Sequence, residues 1–178
     1  DTVIDDFDNG AFSTSTVAVG IPCSAVGGVR SVLVLDSGVM PVPSVMDLVP
    51  GEGHLDLAIG NDPGNYGIGY GSFLSGGSPL NLDLTGSDRI VVELSFASPT
   101  FMALILESGD FPFSDSAFFD IEISGPGVYE FPFSAPELGF IDLSDIDSIE
   151  LNFFGGPGGV MQPFVNYRIE SIRAVLAS

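Results

Sequence analysis

Apolar and polar residues alternate with a period of two along much of this chain, and no long stretch carries an apolar period of 3.6. Between 88 and 97, Ile90, Val92, Leu94 and Phe96 fall on one side, with Val91, Glu93 and Ser95 on the other. Between 117 and 124, Phe119, Ile121 and Ile123 alternate with Phe118, Asp120 and Glu122. This pattern predicts half-buried antiparallel strands. Strands are expected at 2–8, 14–20, 29–36, 54–60, 66–73, 88–97, 101–107, 117–124, 127–133, 146–154 and 165–176. Turn residues punctuate them: Gly27-Gly28, Asn61-Asp62-Pro63-Gly64-Asn65, Ser108-Gly109-Asp110, Gly125-Pro126-Gly127 and the run Gly155–Gly159. One helix-like turn is expected around Ala135–Leu143, and segment 37–53 reads as a long surface loop or an irregular edge strand. The whole predicts an all-β fold, a two-sheet antiparallel β-sandwich of jelly-roll type. Residues 1–178 are expected to form a single domain without internal repeats, with both terminal strands side by side.

The charge changes the picture. Twenty-four carboxylates stand against four cationic residues, all arginine, for a net charge of -20. Yet 45% of residues are hydrophobic, 15 are Phe, and the mean hydropathy is +0.42. A disordered acidic tail lacks the aromatic and β-branched residues seen here. The chain can thus bury a core under an anionic surface, which repels nucleic acid and attracts cations. Nucleic acid is excluded as a partner, since clustered Lys or Arg is missing. No apolar run reaches 18 residues, so membrane insertion through a helix is not expected. Cys23 stands alone; no intrachain disulfide and no cysteine-based metal site can form, and a small buried apolar role is expected of it. A first residue Asp1, without methionine, reads as a mature secreted chain working outside the cell or at its surface.

The order of short motifs is itself informative. Asp5-Asp6-Phe7 is followed by Gly27-Gly28-Val29-Arg30, Leu82-Asp83-Leu84-Thr85, Phe131-Pro132-Phe133-Ser134, Ile146-Asp147-Ser148-Ile149-Glu150-Leu151 and Tyr167-Arg168-Ile169-Glu170-Ser171-Ile172. Together they resemble secreted bacterial β-sandwich proteins of the PEP-CTERM-associated type, distantly similar to carbohydrate-binding jelly rolls. The chain departs from that class in ending at Ser178 without a sorting tail. The resemblance implies a sandwich fold and export, and a structural calcium near the paired termini.

Candidate chemistry is sparse. Asp5, Asp6 and Asp8 with Asn9 offer hard oxygen ligands of the kind calcium takes. On a strand, Asp6 and Asp8 share a face and can share an ion with Glu170 of the last strand. A solvated acidic strand end explains the same residues. Asn61, Asp62 and Asn65, with Gly64 and Gly67, lack the spacing of an EF-hand loop and suit polar turns. Asp142, Asp145, Asp147 and Glu150 carry the alternate spacing of jelly-roll glycosidase acids, although the chain has no Trp for a sugar platform. His54, the sole histidine, has no nucleophile motif or further ligands to work with. Arg30, Arg89, Arg168 and Arg173 are expected to pair with carboxylates. Tyr66, Tyr70 and Phe73 are either core residues or a sugar platform, with the core expected.

These features favour a non-enzymatic secreted structural protein that self-associates, for example as a filament, with cations, calcium first, stabilising it. Its contacts would be strand edges, unguarded by Lys, or the segment Val39–Val49. The alternative is a carbohydrate-binding module with polysaccharide as partner, and a third reading is a glycoside hydrolase.

Overall fold

The computed structural model describes residues 1–16, 18–35, 44–49, 52–60, 64–71, 78–109, 115–154 and 166–177, apart from the side chain of Val19. Their strands are β1 (Thr2–Asp5), β2 (Phe12–Thr14), β3 (Ala18–Pro22), β4 (Val29–Leu35), β5 (Val45–Leu48), β6 (Leu55–Ala58), β7 (Asn65–Gly71), β8 (Ser87–Phe96), β9 (Thr100–Ser108), β10 (Asp115–Ile123), β11 (Gly127–Pro132), β12 (Ile146–Phe154) and β13 (Asn166–Leu176). They form two antiparallel sheets. Sheet I runs β11-β8-β13-β6-β5-β2, with β1 also on β13; sheet II runs β10-β9-β12-β7-β4-β3. Among the described residues the only helical piece is a 3-10 turn at Val26–Gly28.

The period-two pattern fixes which face each strand buries. In sheet I, Ile90, Val92 and Leu94 of β8, Leu55 and Leu57 of β6, and Tyr167, Ile169 and Ile172 of β13 are buried. Sheet II meets them with Met102, Leu104 and Leu106 of β9, Ile149, Leu151 and Phe153 of β12, and Tyr66, Ile68 and Tyr70 of β7. Tyr66 and Tyr70 are core residues, as expected; Phe73 lies outside the described residues. The Tyr66 hydroxyl is spoken for by Ser44 Oγ and the Gly64 amide, both at 2.8 Å. The terminal strands do lie together, with Thr2 opposite Ala174 and Val3 opposite Arg173.

Three local expectations differ from what is seen. The segment expected as a loop or edge holds β5, which is interior to sheet I between β2 and β6. Its inward residues Met46 and Leu48 are buried, so its core partners exist; the sequence hides them in a strand of only four residues. The strand expected at 14–20 is divided between β2 and β3, which lie in different sheets, while Ala135–Leu143 forms turns, as expected. In these turns the amides of Leu138 and Ile141 bond the carbonyls three residues before them. The first predicted strand, 2–8, stops at Asp5.

That stop has a cause. Phe7 has φ of 58°, in the left-handed region, and its amide donates to Asp5 Oδ1 at 2.9 Å. The turn swings Phe7 into the core and leaves Asp5 fully buried. Asp5 accepts two bonds from Arg30 of β4, Nε to Oδ2 and Nη2 to Oδ1, both 2.6 Å. The Tyr70 hydroxyl of β7 donates to Asp5 Oδ2 at 2.8 Å. Arg30 Nη1 donates to the carbonyls of Asn9 and Gly10 at 3.2 and 3.3 Å, and the guanidinium sits 5.1 Å from the Phe7 ring centroid. Gly10, at φ 78°, has to be glycine: a Cβ there would lie 2.5 Å from Cys23 Cβ and 2.9 Å from the Pro22 carbonyl. Burial by itself would lower the Arg30 pKa, but the hydrogen bonds to Asp5 and its negative charge outweigh it and the net direction is up. Burial, then Asp5, holds the Tyr70 hydroxyl well above its ordinary value, so it stays a donor.

This network ties sheet I to sheet II. Asp5→Ala would strand a buried guanidinium and is expected to cost about 3–5 kcal/mol in urea unfolding. Tyr70→Phe should cost about 2 kcal/mol, as a bond to a charged acceptor is lost. The pair Asp5→Leu with Arg30→Met should lose less than Asp5→Ala, since no charge is left unpaired. A loss below about 1 kcal/mol for Asp5→Ala would contradict the assignment.

Candidate functional site

A cleft of about 530 Å³ lies across the outward side of sheet I. Val45 and Asp47 of β5, Asp56 and Ala58 of β6, and Asn166 and Arg168 of β13 line it, with Ser95 and Phe96 of β8 at its end. These positions alternate with the inward Met46, Leu57 and Tyr167, so strand parity places the polar groups in the cleft. The register does the rest: Arg168 stands opposite Asp56 on one side and Phe96 on the other. Phe96 shares the sequence parity of Ile90, Val92 and Leu94, but a register shift between Arg168 and Ile169 sets it opposite the outward Arg168, and it is 52% exposed.

Arg168 holds Asp56 bidentately, Nε to Oδ1 at 2.7 Å and Nη2 to Oδ2 at 2.9 Å, which raises the guanidinium pKa further. His54 approaches the same carboxylate at 3.6 Å and Glu52 Oε2 at 3.1 Å. Glu170, also outward on β13, accepts a bond from Ser95 Oγ. The cleft therefore offers carboxylate oxygens, a carboxamide and a guanidinium edge, with an apolar ring at one end. Such a mix can hydrogen-bond hydroxyl groups and stack on an apolar face.

The expected calcium ligands are placed apart. Asp5 is buried on Arg30, while Asp6 and Asp8 sit in the turn that follows, where Asp6 Oδ1 accepts the Asp8 amide at 3.3 Å. Glu170 bonds toward β8, on the opposite side of β13 from β1. Among the described residues no three His, Cys, Asp or Glu side chains gather as a metal site. Parity failed as a guide here because the strand ends at Asp5, one residue before Asp6.

The other acids disperse as well. Asn61 and Asp62 lie outside the described residues, and Asn65 is an exposed first residue of β7. Asp142 caps a turn through the amide and hydroxyl of Ser144, which lower its pKa. Asp145 precedes β12, and Asp147, at a register shift between Ile146 and Ser148, is only 4% exposed. The alternate spacing of Asp145 and Asp147 thus never becomes a pair of acids on one strand face. All four arginines pair with acids, as expected: Arg30 with Asp5, Arg89 with Asp88, Arg168 with Asp56, and Arg173 with Glu93 at 3.7 Å. Cys23 is a free, partly buried thiol whose pKa burial raises.

With this geometry in view, the fold finds solved relatives. It is similar to a family 11 carbohydrate-binding module from Clostridium thermocellum in complex with a β-1,3-1,4-mixed-linked tetrasaccharide. The TM-score is 0.50 and the identity 16%, over 99% of this chain and 95% of that one. A family 11 module of a cellulosomal cellulase of the same organism gives a TM-score of 0.48 at 17% identity, over 99% and 94%. The first likeness shows a shared β-sandwich fold. No protein-family model matches the chain, the PEP-CTERM-associated class included, and no curated protein matches it. No helix among the described residues is long and apolar enough to cross a membrane.

One carboxylate stands out electrostatically. Glu150 of β12 is raised above the ordinary 4.5 by burial first and by Glu107 as well, although a bond from Asn152 works against this. For an acid with a raised folded-state pKa, folding binds a proton more tightly. The protonated group supports the fold below about 4.5, and that support fades as pH rises through the folded value. Glu150→Gln should therefore raise the melting temperature at pH 7, with the gain shrinking to nothing in acid. An equal effect at both ends of the pH range would refute it.

Proposed function

We propose that this chain is a secreted carbohydrate-binding protein that seats a neutral polysaccharide in the cleft across β5, β6 and β13. The observation that carries this is the cleft itself: a concavity on a sandwich sheet lined by Asp47, Asp56, Asn166 and Arg168, with the exposed ring of Phe96 at one end. Sugars need both elements, planar hydrogen-bonding groups for hydroxyls and a ring for the apolar C–H face. The shared fold with a module solved on a mixed-linked tetrasaccharide supports the reading.

Charge selects the sugar class. The chain has only four cationic side chains besides His54, and each arginine already faces a carboxylate. Uronic or sulfated polysaccharides would bring anions to a protein of net charge -20 with no cation to spare. A neutral glycan meets no such penalty. The self-association expected from the sequence has no comparable support: Val39–Pro43 lies outside the described residues, and Val45 lines the cleft.

Calorimetry against soluble neutral glucans and against polygalacturonate tests this. Binding of at least one neutral glucan and none of polygalacturonate is expected. Phe96→Ala and Arg168→Ala should each weaken it about tenfold, the loss of roughly 1.4 kcal/mol. Phe140→Ala, an exposed ring on the Ala135–Leu143 turns, should leave it unchanged. Failure to bind any neutral glycan would overturn the proposal.

A further inference from the structure

The outward side of sheet II is aromatic where a solvated sheet face should be polar. Phe101 of β9 and Phe154 of β12 stack at 5.9 Å between ring centroids, 27° apart in plane. Phe118 of β10 reaches Phe154 at 6.2 Å although β9 lies between their strands. The two rings meet across the row of Ala103, whose small side chain leaves room and is fully buried. Phe118 is itself 50% exposed, and Ile105 stands opposite it.

Carboxylates surround this patch. Glu122 is opposite Phe101, Asp120 opposite Ala103, and Glu150 opposite Ile105, with Glu107 near Glu150. No cation answers them. Arg89, Arg168 and Arg173 all belong to strands of sheet I, and Arg30 is buried between the sheets on Asp5. Burial first, and then the neighbouring Glu107, raise the pKa of Glu150.

Exposed apolar surface rimmed by polar groups marks interaction sites. Rings bounded by unpaired carboxylates favour one chemistry above others, a cation whose flat or methylene body can lie on an aromatic face. Arginine side chains have both properties. A second copy of this chain has no arginine to give, and nucleic acid and acidic glycans are repelled. We propose that the Phe101–Phe118–Phe154 face of sheet II docks a basic polypeptide segment, with arginine over the rings and its charge met by Glu122, Asp120 and Glu150. This site is on the opposite face from the cleft and does not depend on the glycan reading.

The test uses the whole chain and a labelled peptide of alternating arginine and leucine, read by fluorescence anisotropy near physiological salt. A peptide with citrulline in place of arginine is the uncharged control. The arginine peptide should bind and the citrulline peptide should not. Phe118→Ala should weaken binding about fivefold, as expected of a cation–aromatic contact near 1 kcal/mol. Glu122→Gln, at an exposed site that leaves the core intact, should weaken it about threefold. Phe140→Ala and Glu137→Gln, matched changes on the Ala135–Leu143 turns, should change it less than twofold. Equal losses for the matched changes would show diffuse attraction to net charge and overturn the proposal. So would absence of binding, or binding of the citrulline peptide alone. Displacement of the peptide by a neutral oligosaccharide with Phe118→Ala blocking both would overturn it too, by making the face a glycan site.

Discussion

One buried ion pair holds the two halves of this sandwich in register. Asp5 belongs to sheet I and Arg30 to sheet II, and each brings its charge to the interior without access to water. A lone charge there would be prohibitive, so neither residue can settle without the other. The remaining partners follow from the same demand. Tyr70 supplies a neutral donor to the carboxylate, and the Asn9 and Gly10 carbonyls take the leftover guanidinium protons. The left-handed Phe7 closes the turn that makes this possible and lays its ring under the cation. Because β1 carries Asp5 and also pairs with β13, the network also anchors the strand that places Arg168 in the cleft.

The scarcity of cations shapes the outer faces. With no lysine and four arginines, each positive charge is committed to a named acid. The arginines outside the core sit on sheet I, where they break up its acidic surface, and one of them, Arg168, lines the cleft. Sheet II keeps its carboxylates uncompensated around three phenylalanines. Two faces built from the same period-two code thus offer different chemistry: one suited to hydroxyl-rich neutral ligands, the other to cationic ones.

Much of the fold was legible because alternation is a local signal. The strands at 88–97, 117–124 and 146–154 are found almost where the pattern puts them, and so is the pairing of the chain ends. Composition alone indicated that each arginine would find an acid. The failures are non-local or depend on one residue's backbone. Nothing in Asp5-Asp6-Phe7-Asp8 announces that Phe7 adopts positive φ, and the strand on which Asp6 and Asp8 were expected to alternate ends at Asp5. Strand β5 is short and lies in a Pro- and Val-rich segment that reads as a long surface loop or an irregular edge strand. Asp147 is buried at a register shift that spacing does not show. The cleft draws on Val45, Asp47 and residues 56–58, 95–96 and 166–168, which only the strand order of sheet I brings together. In Phe118-Phe119 the sequence shows two rings, but only the register reveals that the outer one meets Phe154.

The central claim is that ligand recognition sits on the outward face of sheet I, organised by the Arg168–Asp56 pair. Backbone amide NMR shifts recorded during titration with a neutral glucan oligosaccharide test it most directly. The account predicts perturbations confined to β5, β6, the first half of β13 and the end of β8, with Arg168 and Phe96 among the largest. Perturbations centred on Phe101, Phe118 and Phe154 of sheet II, with sheet I unmoved, would contradict it.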